Sequence, residues 1–198
     1  MALTGREHFY DEWRALVTRT ISAGPVVDLG NAHPFSKDLA FLRDRAPRPW
    51  FALDVAPARR VDLVGDGHHL PLRDASVGSV VCSHVLEHVD RPDTVIDEIH
   101  RVLRPGGGAY VTFLDTHPYH AAPGRYRDVH RFKRDAIDLL LRDWDAVEVI
   151  VGGGAGQVAV SYAPTRVRPA VQWVANVVDP RWRTTVTPVF YVGARRAG

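Results

Sequence analysis

Apolar residues recur three or four positions apart over residues 6–22, at Phe9, Trp13, Leu16, Val17 and Ile21. That spacing puts them on one face of an amphipathic helix, which Gly24-Pro25 ends. Residues 26–29 are a short, unbroken apolar run and predict a strand. Residues 35–45 predict a helix that buries Phe35, Leu39 and Leu42, with Pro47 beyond its end. Strands are then predicted over 50–55, 61–66 and 76–83. From Pro92 the helical period returns, with Val95, Ile96, Ile99, Val102 and Leu103 on one face. Asp90 is the expected N-cap, with Pro92 just inside the first turn. Arg101 and Arg104 suit the negative end of that helix, and Gly106 suits a left-handed cap. A strand over 109–114, a helix over 133–144 and strands over 146–151 and 187–194 complete the pattern. The long stretch 152–185 reads as an insertion with one helix near 168–178, placed to cover a site.

Strands that alternate with helices imply an α/β fold with a largely parallel sheet. Runs such as "SVVC" and "VEVIV" are apolar enough to be buried on both faces. A length of 198 residues with no linker predicts one domain over 1–198. Apolar residues make up 45%, which argues against disorder. A net charge of +2 gives no electrostatic reason to expect nucleic acid or a membrane surface as partner. The single cysteine, Cys82, precludes an intramolecular disulfide, fits a cytoplasmic setting and reads as a core residue. The polar start carries no signal-peptide pattern, and no apolar run approaches the roughly 18 residues of a membrane span. Trp173, Trp182, Phe190 and Tyr191 read as core, and nothing in the pattern speaks to oligomeric state.

Candidate chemistry sits at the predicted strand ends. Open α/β sheets bind ligands beyond the carboxyl ends of their strands. Asp28 and Gly30 follow the first strand, Asp54 ends the second and Asp66 follows the third. A carboxylate at the second strand's end is placed to accept hydrogen bonds from ribose hydroxyls, and one after the third from an adenine amino group. Each aspartate alone reads equally as a turn former, so the ordered series carries the weight.

Residues 65–113 contain "GDGHHLPL", then "VLEHV", then "EIHRVLRPGG". In this order and spacing they closely resemble the class I S-adenosylmethionine-dependent methyltransferases, and the resemblance covers 26–115. "HPYHAAPGRYRDVHRF" resembles a segment of one branch of that family, with Asp128, Arg131 and Phe132 as its Asp-x-x-Arg-Phe element. The resemblance implies a Rossmann-like, doubly wound, mostly parallel seven-stranded sheet with an antiparallel last strand and helices on both faces. It implies S-adenosylmethionine as cofactor, S-adenosylhomocysteine as product and a small molecule as methyl acceptor. Asp28, Gly30 and Asn31 would contact the cofactor at its methionine part, and Asp54 with Val55 the ribose. Asp66, Gly67 and His68 would read the adenine, and Ser83 and His84 would lie beneath the sulfonium. Segments 1–24, 117–132 and 152–185 would shape the acceptor side. The loop "GNAHP" departs from the family pattern by placing Ala32 where glycine is preferred.

Of ten histidines, His84, His117, His120 and His130 should border the pocket. His120 is the first candidate for acid–base work and His84 the second. In "LEHV" the resemblance gives His88 a structural contact, and His100 sits on a helix flank. Asp66 with His68 and His69, or His117 with His120, are metal-ligand types, but no spacing matches a recognised zinc pattern and no metal is expected. Arg125, Arg127, Arg131 and Lys133 read as a solvated loop face. A protein of the same fold that no longer methylates is the alternative, because of the "GNAHP" loop. A nicotinamide-dependent oxidoreductase is disfavoured by the lack of a G-x-G-x-x-G.

Overall fold

The computed structural model describes residues 5–31, 37–153, 155–178 and 189–198. Seven strands form one sheet: β1 (Val26–Leu29), β2 (Trp50–Asp54), β3 (Leu63–Val64), β4 (Val77–Cys82), β5 (Leu103–Leu114), β6 (Asp145–Gly152) and β7 (Val189–Arg195). Their spatial order is β3-β2-β1-β4-β5-β7-β6. The first five pair in parallel, and β7 inserts antiparallel between β5 and β6. This is the doubly wound sheet with an antiparallel last strand that the resemblance implies. The helices are α1 (Gly5–Thr20), α2 (Pro92–Val102), α3 (Arg134–Leu140), α4 (Ala155–Tyr162) and α5 (Arg168–Val178), with 3-10 turns at Lys37–Leu42 and Leu86–His88.

Strand alternation divides the core into two layers. Val27, Leu29, Val80, Cys82, Val111 and Phe113 face the side covered by Val95, Ile96, Ile99 and Val102 of α2 and Ile137 of α3. Val26, Val81 and Tyr110 face the opposite side, with Trp13, Val17 and Ile21 of α1 and Leu39 and Leu42 of the first 3-10 turn. The Trp13 indole N–H donates to the Tyr110 hydroxyl at 2.9 Å, which satisfies both buried polar tips. Cys82 is fully buried, and burial pushes its thiol pKa far up, so it packs as a small apolar residue. Phe190 is buried as expected, but Trp173 is 68% exposed on α5, and Trp182 lies outside the described residues.

Several boundaries differ from the expected ones for local reasons. The first residues of the 35–45 helix lie outside the described residues, and the remainder is a 3-10 turn. The third strand keeps only Leu63 and Val64, because only Leu53 and Asp54 of β2 lie alongside to pair with it. The N-cap of α2 is Arg91, not Asp90, and no side chain caps it. Leu103, the C-cap of α2, is already extended, and β5 begins there. Gly106, at φ +74°, therefore turns within β5 and does not cap the helix. Helix α4 was not expected from the sequence; its apolar residues are too evenly spread to show a clear face.

The sheet admits α1 very closely at one point. A Cβ on Gly108 would stand 2.1 Å from the Thr20 carbonyl oxygen. Gly108→Ala should therefore force the end of α1 off β5 and cost about 1–3 kcal/mol of stability. Urea unfolding followed by circular dichroism measures this, and an unchanged midpoint would show that Thr20 can withdraw at no cost.

Candidate functional site

The register of the parallel strands builds the site. Leu29 lies opposite both Leu53 and Cys82, so the residues that follow, Gly30, Asp54 and Ser83, emerge at one level. Asp54 also lies opposite Val64, which brings Gly65 and Asp66 alongside. A cavity of about 1240 Å³ opens over these strand ends. Gly30, Asp54, Val55, Asp66, Gly67 and His68 line one wall. His84, His88, His117, Tyr119, His120 and Tyr126 line the other.

Gly30 has φ +72°, and a Cβ there would stand 2.4 Å from Val85 Cγ2. Only glycine keeps the floor open at this point. Its N–H donates to the Leu53 carbonyl at 2.7 Å, which ties the turn after β1 to β2. Asp28 and Asn31 do not reach the cavity wall. Asp28 is fully buried, and its Oδ2 accepts from Asn31 Nδ2 at 3.0 Å and from the Trp50 indole at 3.3 Å. They brace the turn from behind. Ala32, His33 and Pro34, the irregular part of the loop, lie outside the described residues.

At the end of β2, Asp54 Oδ1 accepts from the Ala56 N–H at 2.9 Å, so its second oxygen is aimed by a fixed turn. Asp66 is held in the same way. It accepts from the backbone N–H of His68 at 2.9 Å and lies 2.7 Å from His68 Nδ1. The His68 backbone N–H is the main cause that holds its pKa below the usual carboxylate range. The other ring nitrogen of His68 accepts from the Arg91 N–H at 3.3 Å, which joins the loop after β3 to the start of α2.

The loop after β3 is clamped from below by a group the sequence reading missed. Arg101 of α2 reaches the carbonyls of Leu70 and Leu72 and the carboxylates of Asp74 and Glu98. Glu98 also accepts from the Leu70 N–H at 2.8 Å. The pattern "EIHR" contains the signal, since Glu98 and Arg101 are three apart on one helix face.

After β4 the chain takes a strained step. His84 has φ +57°, uncommon for a non-glycine residue, and is held there by donation from its N–H to Thr112 Oγ1 at 2.8 Å. Its ring lines the cavity, while Ser83 is half-buried beside it and does not. The next turn holds Glu87, whose side chain is wholly buried. Three histidine nitrogens surround its Oε1: His84 Nδ1 at 3.5 Å, His88 Nε2 at 3.8 Å and His120 Nε2 at 3.9 Å. The sequence reading paired His117 with His120 as metal-type residues. Their rings do meet, with centroids 4.9 Å apart, and the structure also brings Glu87 and His88 to His120. His130 packs on Phe132 and does not line the cavity.

Segment 117–132 forms the far wall. Val129 N–H and His130 N–H both donate to the Glu87 carbonyl, which anchors the segment to the turn after β4. Arg131 bonds the Asp128 carboxylate and the carbonyls of His117, Pro118 and His130. The Arg131 guanidinium is the main cause that holds the Asp128 carboxyl far below its usual range. Asp128 in turn accepts from the His120 N–H at 2.9 Å and lies 3.2 Å from His120 Nδ1. Arg127 pairs with Asp90 and Lys133 with Asp115, so most of the basic cluster is committed to ion pairs, and Arg125 lines the cavity. Burial lowers the pKa of His117 and so favours its neutral ring. None of the described residues of α1, α4 or α5 lines this cavity, so the segments expected to shape the acceptor side reduce here to 117–127. Among the described residues no helix is long and apolar enough to cross a membrane.

Comparison with known proteins agrees with this geometry. Residues 34–111 match the family model described as a methyltransferase domain. An uncharacterized methyltransferase of Mycobacterium sp. (strain JLS) is 32% identical over 111 residues, which are 52% of this chain and 44% of that protein. The chain spans less than half the length of the curated relatives it matches. Among solved structures, a SAM-dependent methyltransferase from Archaeoglobus fulgidus superposes with a TM-score of 0.64 at 12% identity, covering 96% of this chain and 94% of that one. Burkholderia thailandensis 1,6-didemethyltoxoflavin-N1-methyltransferase, solved with its substrate and S-adenosylhomocysteine, gives 0.58 at 18% identity, covering 96% and 79%. At these identities the structural likeness speaks for the fold.

The clamp beneath the cavity has a pH signature. Hydrogen bonding from Arg101 is the main cause that holds Glu98 below its ordinary pKa. The clamp's stability is therefore present above the ordinary Glu value of about 4.3 and is lost as pH falls through the lower folded value. Glu98→Gln should lower the melting temperature at pH 7 by about 2–4 °C, the shift expected for about 1 kcal/mol in a chain of this size. That gap should shrink as pH drops below about 4. Calorimetric scans across this range test it, and a constant gap would remove the charge from the explanation.

Proposed function

We propose that this chain, which has the class I methyltransferase fold and a methyltransferase domain over residues 34–111, transfers a methyl group from S-adenosylmethionine to a small molecule. The observation that carries the reading is the two-walled cavity over the aligned ends of β1, β2 and β4. The residues fit the cofactor on this chain's own geometry. The bare backbone of Gly30 admits a ligand where any side chain would collide with Val85. Asp54 presents a carboxylate oriented by its turn, as a vicinal diol requires, and Asp66 with Gly67 and His68 presents the edge that an adenine would meet.

The bound cofactor would supply a methyl group already activated on a sulfonium, so the protein's task is largely positioning. Gly30 frames the methionine end, with Asn31 bracing its turn from behind, Asp54 and Val55 the ribose, Asp66, Gly67 and His68 the base, and His84 the reacting end. The acceptor lies against segment 117–127. There His120, its Nδ1 held by Asp128, receives the acceptor's proton, with His84 across from it. The near balance of charge, +2 over the chain, supports a small acceptor over nucleic acid. A cytoplasmic setting accords with the single buried thiol.

Calorimetry with S-adenosylmethionine and S-adenosylhomocysteine tests the reading. Binding is expected for both, and no heat at millimolar ligand would overturn it. Binding without methyl transfer to any acceptor would favour a non-methylating member of the fold. Asp54→Ala should weaken S-adenosylhomocysteine at least about tenfold, as loss of a charge-assisted hydrogen bond of about 1.5–3 kcal/mol requires. Unchanged affinity would refute the ribose assignment.

A further inference from the structure

The Glu87 carboxylate poses a problem that the methyl-transfer reading leaves unsolved. Its side chain has no exposure, and neither oxygen has a hydrogen-bond partner. A buried, unpaired carboxylate is expensive. The three imidazole nitrogens around it lie at 3.5, 3.8 and 3.9 Å, too far for hydrogen bonds. Two of those rings also turn the wrong atom towards it. His88 Nδ1 lies 2.6 Å from the Arg127 carbonyl and so must carry a hydrogen, which leaves a neutral ring's lone pair on Nε2. His120 Nδ1 lies 3.2 Å from the Asp128 carboxylate and 3.2 Å from the Pro118 carbonyl, with the same consequence. Two lone pairs and a carboxylate then converge with no positive charge among them. A cation in their midst resolves this.

We propose that Glu87, His88 and His120 bind a divalent first-row transition metal ion of the zinc type. The ligand atoms of the first three lie within 4.8 Å of one another. Metal–ligand bonds of about 2.0–2.2 Å need the atoms about 3.3 Å apart in a tetrahedron, so the cluster closes by less than about 1.5 Å on binding. Two imidazoles and one carboxylate select zinc-like ions over magnesium or calcium, which prefer all-oxygen shells. The outer partners are of the kind that orient metal-bound histidines: a backbone carbonyl behind His88 and the Asp128 carboxylate, itself fixed by Arg131, behind His120. This reverses the expectation of no metal site. The sequence reading looked for zinc spacing within one segment, whereas these ligands come from two. Because His88 and His120 line the cavity, an open coordination position faces the space assigned to the acceptor. Resting on the methyltransferase reading, the site would bind an acceptor oxygen or nitrogen, and a metal-bound hydroxyl would lose its proton more readily. His84 would then receive it, since His120 Nε2 is committed to the metal.

Titration of the chelator-treated full chain with Co2+, followed by Zn2+ displacement, tests the site without any activity assay. One equivalent of Co2+ should bind with a visible ligand-field band and raise the melting temperature. Glu87→Gln, His88→Ala and His120→Ala should each weaken binding at least about tenfold, while His69→Ala should match wild type. Circular dichroism and S-adenosylhomocysteine binding show which variants fold, and the partly exposed His88 keeps the test open if Glu87→Gln does not. No saturable binding, or wild-type affinity in folded His88→Ala and His120→Ala, would overturn the site and leave protonated histidines as the partners of Glu87. Metal binding without cofactor binding would overturn the methyltransferase reading and spare the site; the opposite result would do the reverse.

Discussion

The site depends on the register of three parallel strands. Parallel pairing lets β1, β2 and β4 end at one level, and each end delivers a different residue: Gly30, Asp54 and Ser83. A slip of one residue would turn every side chain to the other face and carry Asp54 out of line with Gly30 and Ser83. The burial of both sheet faces makes such a slip costly. Val26, Val27, Leu29, Val80 and Val81 are each almost wholly excluded from water, on two different sides. The hydrophobic core therefore sets the geometry of polar groups that it does not touch.

What the register cannot do is hold the loops, and here buried and half-buried polar groups take over. Asp28 braces the first turn through Asn31 and Trp50. Arg101 and Glu98 fasten the loop after β3 to α2. Arg131 gathers three carbonyls and the Asp128 carboxylate under the far wall. Each is a charged group with several partners, which suits segments that have no sheet ladder to satisfy their backbone. The cavity is thus walled by loops, but the loops are attached to strands and helices at fixed atoms.

The division between core and loops also decides what could be read from the chain alone. The rough positions of the strands and the aspartates at their ends were legible from periodicity and motif spacing, which report burial and strand ends directly, and the antiparallel β7 from the family resemblance. The true N-cap of α2, the early start of β5 and α4 were not, because they turn on tertiary contacts over a few residues. Asp28 shows a subtler limit. Its position at a strand end suggested a ligand contact, but the indole of Trp50, 22 residues later, claims the carboxylate from inside. Glu87 shows the opposite case. It stood in plain view in "VLEHV", yet only the fold brings His120 across to it from another segment.

Glu87 joins two structural demands at one residue. Its backbone carbonyl holds segment 117–132 by accepting from Val129 and His130, while its side chain sits without a hydrogen bond beside His120 of that same segment. A metal ion shared by Glu87, His88 and His120 would also draw His120 towards His88, and so the far wall towards the strand ends. Closure of the acceptor side and neutralisation of one buried charge would then be the same event. The cavity of about 1240 Å³ has to take both cofactor and acceptor, and this coupling would let the fold close on them without moving the sheet.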